Sequence, residues 1–282
     1  NFYLVKKFNL FLILFVVTIN VVIFISGERT AFFYCFLSNL LFIILSKKYN
    51  FQFFISIILS TIIILILVNF NNPLKFRMYD YTKDQFNDEV LNIPSDKENK
   101  KIPKTYISTN INESFFYKLK FISNEHEVLF SKALIIFNYN KFFGIGPKMF
   151  RIECSNPRYK VAINFDNDSG HDINTHGCSS HPHNIYLQLL SETGILGTLP
   201  VIFLFIYIIY SLLVVGITKI RSIEENKVNQ IDIFIYISML ISLWPFIPTG
   251  SFFNNWLSII NFLCFGLFLF IKKNHLKIKI IE

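Results

Sequence analysis

Cysteine is scarce in this 282-residue sequence: there are four, and no Cys-x-x-Cys pair that would suggest a zinc ribbon. Glycine and proline are also few, at 10 and 9. No internal repeat is visible, which argues against a solenoid. The chain opens on Asn1 with no initiator Met and no signal peptide, so it is expected to begin inside a longer protein. What it has in excess is apolar surface. Hydrophobic residues make up 52% of the chain and Phe alone supplies 34 positions, more than a water-soluble core would bury. The expected solvent is therefore a lipid bilayer.

Six segments are apolar enough to span a membrane: 8–25, 30–46, 51–68, 185–218, 231–247 and 255–271. A bilayer core asks for about 20 apolar residues, and the fourth segment exceeds that. It is expected either to project above the membrane or to kink near Pro200. The expected fold is an all-α polytopic membrane protein, with one large periplasmic loop between the third and fourth helices. Its parts would be three helices over 1–68, a periplasmic loop domain with interfacial helices over 69–184, three helices over 185–271, and a cytoplasmic tail over 272–282.

Charge orients this arrangement. Lys6, Lys7, Lys47, Lys48, Lys219, Arg221, Lys227, Lys272, Lys273, Lys277 and Lys279 fall on one side of six alternating spans, while Arg29 is the sole cation of the short loops opposite. The rule that cytoplasmic loops are rich in Lys and Arg then puts residues 69–182 outside the cytoplasm. The +8 net charge does not point to nucleic acid. The outer segment holds 15 Lys and Arg against 13 Asp and Glu, and most of the remaining excess flanks helices on the cytoplasmic side.

The outer segment is polar and irregular at first. It turns amphipathic over 125–137, where Val128, Leu129, Ala133, Ile136 and Phe137 can share a helical face. Gly144-Ile145-Gly146-Pro147 breaks that pattern. Cys154 and Cys178 both lie outside, where an oxidising periplasm would allow a disulfide; the alternative is two unpaired thiols. Cys35 and Cys264 lie within spans, where a free thiol acts as a small apolar group.

Chemistry concentrates around His181-Pro182-His183-Asn184. Asn184 is a good helix N-cap, and first-turn N–H groups attract anions. A diphosphate held there would lie beside His183, whose imidazole could act as a general base. The plainer alternative is a polar cap on a membrane helix. Gly194 and Gly197, three apart, would let a neighbouring helix approach, and Thr198 could bond within its own helix. Glu192, an acid in an apolar span, is either functional or exposed at the interface. Arg29 suits a phosphate, or else snorkels from a helix end. Lys148 and Arg151 follow the Gly-x-Gly turn, which lacks the spacing of a nucleotide-binding loop but could lie beside an anionic headgroup. Asp166, Asp168, His171, Asp172, His176 and His181 invite a metal reading. Asp166-x-Asp168-x-Gly170 begins like a calcium loop, but Gly177 stands where the closing Glu belongs, so a solvated loop and no metal is the expectation.

Together these residues resemble the O-antigen ligase and O-antigen polymerase superfamily of bacterial envelope proteins. His183-Asn184-x9-Gly194-x-x-Gly197-Thr198 fits the ligase signature at every fixed position. Ser26-Gly27-Glu28-Arg29-Thr30 looks like the family's Ser-Gly-x-Arg-Thr turn, and Gly144-Ile145-Gly146 through Phe150 like its Gly-x-Gly-x-x-x-Phe element. Members usually carry ten or more spans, which implies missing N-terminal helices. The resemblance implies a glycosyltransferase of the inner membrane, active on its periplasmic face without a cofactor. It would move a glycan from an undecaprenyl-pyrophosphate-linked donor to lipid A-core, or to a second lipid-linked glycan in a polymerase. His183 would be catalytic and Arg29 would bind the diphosphate. Asn184 and His181 would belong to the substrate site. A second family arginine is replaced here by His126, leaving Lys148 or Arg151 to substitute. Rival readings are a protein-directed oligosaccharyltransferase, a transporter and a purely structural membrane protein. A transporter is disfavoured because the first three spans and the sixth carry no charged side chain.

Overall fold

A computed structural model describes residues 2–80, 83, 124–159, 178–220 and 230–281, whose regular elements are helices with no strand among them. The helices are α1 (Phe2–Ile25), α2 (Arg29–Leu45), α3 (Asn50–Phe70), α4 (Asn72–Lys75), α5 (Asn124–Tyr139), α6 (Phe150–Glu153), α7 (Ile185–Ile220), α8 (Gln230–Ser242) and α9 (Asn255–Ile281). A π-helical turn, Phe76–Asp80, follows α4, and a 3-10 turn, Pro157–Tyr159, follows α6. Two compact units result, one comprising 1–80, 203–244 and 259–282, the other 81–202 and 245–258.

All six expected apolar segments are helical, but their lengths differ. Asn50–Phe70 and Ile185–Thr218 are long and apolar enough to cross a membrane. Asn9–Ile25, Arg29–Leu45, Gln230–Ser242 and Asn255–Phe270 are apolar helices of 10–17 residues. The fifth segment is shorter than the sequence predicts, because α8 stops at Ser242. Pro245 accounts for this: proline lacks the N–H that a helix needs and disfavours helical backbone in the residue before it.

The first unit encloses a cluster of polar side chains within a mainly apolar interior and is apolar outside. Asn20 on α1 donates from Nδ2 to Ser60 Oγ on α3 (3.0 Å), and its Oδ1 accepts from Asn39 Nδ2 on α2 (2.8 Å) and from the Cys35 thiol (2.9 Å). Asn20, Asn39 and Ser60 are all buried. Phe11, Leu14, Leu65 and Phe262, by contrast, are each more than half exposed. Apolar solvent rewards that arrangement, since side-chain amides satisfied between helices cost least where water is absent.

The second unit has a small conventional core. Phe130, Ala133 and Ile136 of α5 pack with Phe150, Cys154, Tyr159 and Leu187. The amphipathic face predicted for 125–137 is therefore turned inward at Ala133 and Ile136. Lys132 lies in the same helix and is fully buried, donating from Nζ to the Tyr159 carbonyl (2.7 Å). Burial pulls its pKa down to about 8. Cys154 and Cys178 are paired as a disulfide, which ties α6 to the segment that enters the histidine motif.

Candidate functional site

The site is built at the start of α7. Asn184 caps the helix: its Oδ1 accepts from the N–H groups of Tyr186 (3.0 Å) and Leu187 (3.1 Å), and its Nδ2 donates to the Pro245 carbonyl (2.8 Å). One side chain thus satisfies two orphan helix donors and fastens the 245–251 segment. That segment returns the hold. The Thr249 N–H donates to the His183 carbonyl (2.7 Å), and the Thr249 carbonyl lies 3.3 Å from His181 Nε2.

A carbonyl can only accept, so His181 carries its proton on Nε2 and receives the Ser180 hydroxyl at Nδ1 (2.8 Å). Burial, and secondarily the neighbouring His183, hold its pKa below the usual value, while the Thr249 carbonyl works in the opposite direction. His183 is also held below the usual histidine value by burial, so its ring is neutral at pH 7 and able to take a proton. Its Nε2 is 3.3 Å from Ser179 Oγ. The three imidazoles gather here: His181 lies 4.2 Å and His126 5.5 Å, centre to centre, from His183. His183 itself has φ of +56°, a left-handed conformation uncommon outside glycine, though histidine adopts it more readily than most side chains.

The glycines of the motif do something other than the helix packing expected of them. α7 is interrupted at Gly194, where φ is +65° and ψ −168°, not at Pro200. Into that break comes the 141–146 loop. Ile145 and Gly146 donate their N–H groups to the carbonyls of Ser191 (3.0 Å) and Glu192 (2.8 Å), while Ile195 and Leu196 donate to Lys141 (2.8 Å) and Phe142 (3.3 Å). The carbonyls and amides that the break leaves open are thereby paired with loop backbone. A Cβ on Gly194 would collide with the Phe142 backbone, and one on Gly144 with the backbone of Glu192 and Thr193. The close partner is a loop, not a helix. Gly197 instead makes room for the Thr193 side chain of its own helix, and Thr198 Oγ1 donates to the Gly194 carbonyl (2.6 Å).

Glu192 is not exposed at an interface; its relative exposure is 0%. Its carboxylate accepts from the N–H groups of Lys148 (3.0 Å) and Phe150 (2.9 Å) and from Gln188 Nε2 (3.0 Å). Lys148, held at φ +62°, points into an exposed turn, and Arg151 is exposed on α6. Gln188, fully buried, also reaches Ser251 Oγ (3.0 Å) and accepts from the Phe252 N–H (2.9 Å).

Among the expected site residues, His126, His181, His183 and Asn184 are thus brought together, with Lys148 and Arg151 in the same unit. Arg29 belongs to the other unit, at the start of α2. There the turn has Gly27 at φ +72°, and a Cβ on Gly27 would strike the Arg77 side chain. Arg77 Nη2 lies 3.5 Å from Glu28 Oε1, an exposed pair. Among the described residues no group of His, Cys, Asp or Glu is arranged to hold a metal ion. Asp166, Asp168, His171, Asp172 and His176 lie outside the described residues.

Gln188 is missed by the sequence reading, although it stands four residues before Glu192 on the same helical face, a spacing that offers a local signal. The parts played by Thr249, Ser251 and Arg77 carry no local signal, since their partners lie 49 to 68 residues away.

A family model described as O-antigen ligase matches residues 12–202, which takes in the Arg29 turn, the Gly-x-Gly loop and the whole motif of α7. The chain belongs to the O-antigen ligase family. No curated protein and no solved structure matches it. The O-antigen ligase family comprises inner-membrane glycosyltransferases of the ligase and polymerase type. Its signature residues in this chain have separable structural tasks: Asn184 caps, Gly194 breaks, Gly197 gives clearance and Thr198 closes the break.

Proposed function

We propose that this chain is a ligase-type transferase, moving a glycan from an undecaprenyl-pyrophosphate-linked donor onto lipid A-core at the periplasmic face. Its helices would form six spans with residues 69–182 outside, as the charge asymmetry favours. The observation that carries the reading is the presentation of His183: a neutral imidazole, strained backbone and all, held over the capped start of α7.

The reaction asks little covalent chemistry of the protein. His183 takes the proton from the acceptor hydroxyl as that oxygen bonds to the anomeric carbon. The bond from that carbon to the pyrophosphate oxygen breaks, and undecaprenyl pyrophosphate leaves with the electron pair. Lys148 and Arg151, in the same unit as His183, stabilise the charge growing on the phosphate oxygens. Positioning supplies most of the remaining barrier reduction.

The test is complementation of a strain lacking its own ligase, read on a lipopolysaccharide gel. The parent gene is expected to restore glycan on lipid A-core, and its His183→Ala variant to lose it by roughly a hundredfold or more. Undiminished attachment in that variant would remove His183 from the mechanism. Restored chain length in a polymerase-deficient strain, with no effect in the ligase-deficient one, would make the acceptor a second lipid-linked repeat.

A further inference from the structure

Among the described residues, two that are not glycine hold a left-handed backbone: Lys148 and His183. Both carry side chains suited to the chemistry of the site. Strain of this kind persists only where surrounding structure enforces it, and the enforcing contacts converge on two side chains one helical turn apart. Glu192 grips the Lys148 turn from within, through the N–H groups of Lys148 and Phe150. Gln188 grips the 249–252 segment through Ser251 Oγ and the Phe252 N–H. That segment in turn bonds the His183 carbonyl and His181 Nε2 through Thr249. Gln188 Nε2 joins the two grips by donating to Glu192 Oε2.

We infer that Gln188 and Glu192 are positioning residues, a buried pair that sets the Lys148 turn and the His183 backbone from a single helical face. The inference rests on the transferase reading, but its structural half is independent of it. Neither side chain can reach substrate, because both are sealed from solvent. A carboxylate accepting three hydrogen bonds in a dry site has no slack: any movement of the turn leaves a buried charge short of donors. The pair also sits on the turns of α7 between the Asn184 cap and the break at Gly194.

Two variants of the full-length parent test this, Glu192→Gln and Gln188→Met, each close to the original in size. Both are assayed in membranes with undecaprenyl-pyrophosphate-linked glycan as donor and lipid A-core as acceptor. Amide hydrogen exchange is followed alongside, and oxidation of Cys154 with Cys178 reports folding of the unit. Glu192→Gln is expected to speed exchange at Lys148 and Phe150 by about tenfold or more and chiefly to raise KM for the donor. Gln188→Met is expected to speed exchange at Phe252 and Thr249 and chiefly to lower kcat, again by about tenfold.

Unchanged exchange at those amides overturns the inference, as do wild-type kinetics in oxidised protein. A parallel loss in both constants for both variants would mark general destabilisation and also overturns it. If one variant does not accumulate, the other decides; if neither forms the disulfide, the pair serves folding alone and the inference falls. Failure of the transferase reading looks different: His183→Ala would then keep its activity, whatever the exchange data show.

Discussion

The two units handle buried polar groups in opposite ways. In the first, amides and hydroxyls pair with one another between regular helices: Asn20 with Asn39, Ser60 and Cys35. In the second, buried polar side chains mostly hold backbone at helix ends and in loops. Asn184 takes two amides and a carbonyl, Glu192 two loop amides, Gln188 a loop amide, and Lys132 a carbonyl. A polar side chain spent on another side chain fixes how helices pack. One spent on backbone fixes a shape that no regular element would adopt, and it is on such backbone that His183 and Lys148 are carried. The comparison teaches that the first unit is a scaffold tolerant of small adjustment, whereas the second is over-determined around a few strained residues.

The sharpest way to break this contrast is at the interrupted helix. Gly194→Ala needs a left-handed side chain where the Phe142 backbone already lies. It is expected to cost about 3 kcal/mol or more, seen as loss of oxidised, membrane-resident protein or as a large drop in thermal midpoint. A midpoint near wild type would mean the loop does not depend on that close approach. Asn184→Ala should follow, at about 2 kcal/mol, because it removes a cap and strands the Pro245 carbonyl together. Faster amide exchange at Tyr186 and Leu187 would check it.

In the first unit the expected effect is smaller. Asn39→Leu removes the bond to Asn20 and a long one to the Cys35 sulfur and leaves regular helices able to close over them, so about 1 kcal/mol is expected in an unfolding titration. A cost as great as that of Gly194→Ala would erase the distinction between the units. The mildest prediction concerns pH. With the folded-state pKa of His183 held below 6.5 by burial, its neutral form predominates above that value and protonation gains only below it. Transfer should therefore vary by less than about twofold between pH 8 and 7, and fall only as pH drops through the depressed pKa. A fall already under way at pH 7 would show that the imidazole is not desolvated.

Much of the first unit was open to reading in advance. Apolar runs without Pro or Gly have one economical conformation in lipid, so α2, α3 and the end of α1 fall within two residues of the apolar runs, whereas α1 begins six residues earlier, at Phe2. In the second unit the N-cap at Asn184 was legible, because Asn before an apolar run has a local mechanism. At Gly194 the sequence misleads for an equally physical reason. Two glycines three apart offer clearance, but spacing alone does not say whether a helix or a loop will use it. Glu192 shows the same limit: an acid among apolar residues is anomalous in any reading, yet whether it meets water or two amides depends on a segment 42 to 44 residues earlier.

By itself, then, the amino-acid order determined the helical segments, the charge asymmetry and the signature that places the chain in its family, all of which depend on neighbours within a few turns. Tertiary structure alone decided that α7 breaks at Gly194, that Glu192 and Gln188 are sealed against the 146–150 and 249–252 segments, and that three imidazoles meet. Hydrogen-bond satisfaction is the reason. A buried donor or acceptor must find a partner somewhere, and only the folded chain brings residues about 60 positions apart within 3 Å to supply it.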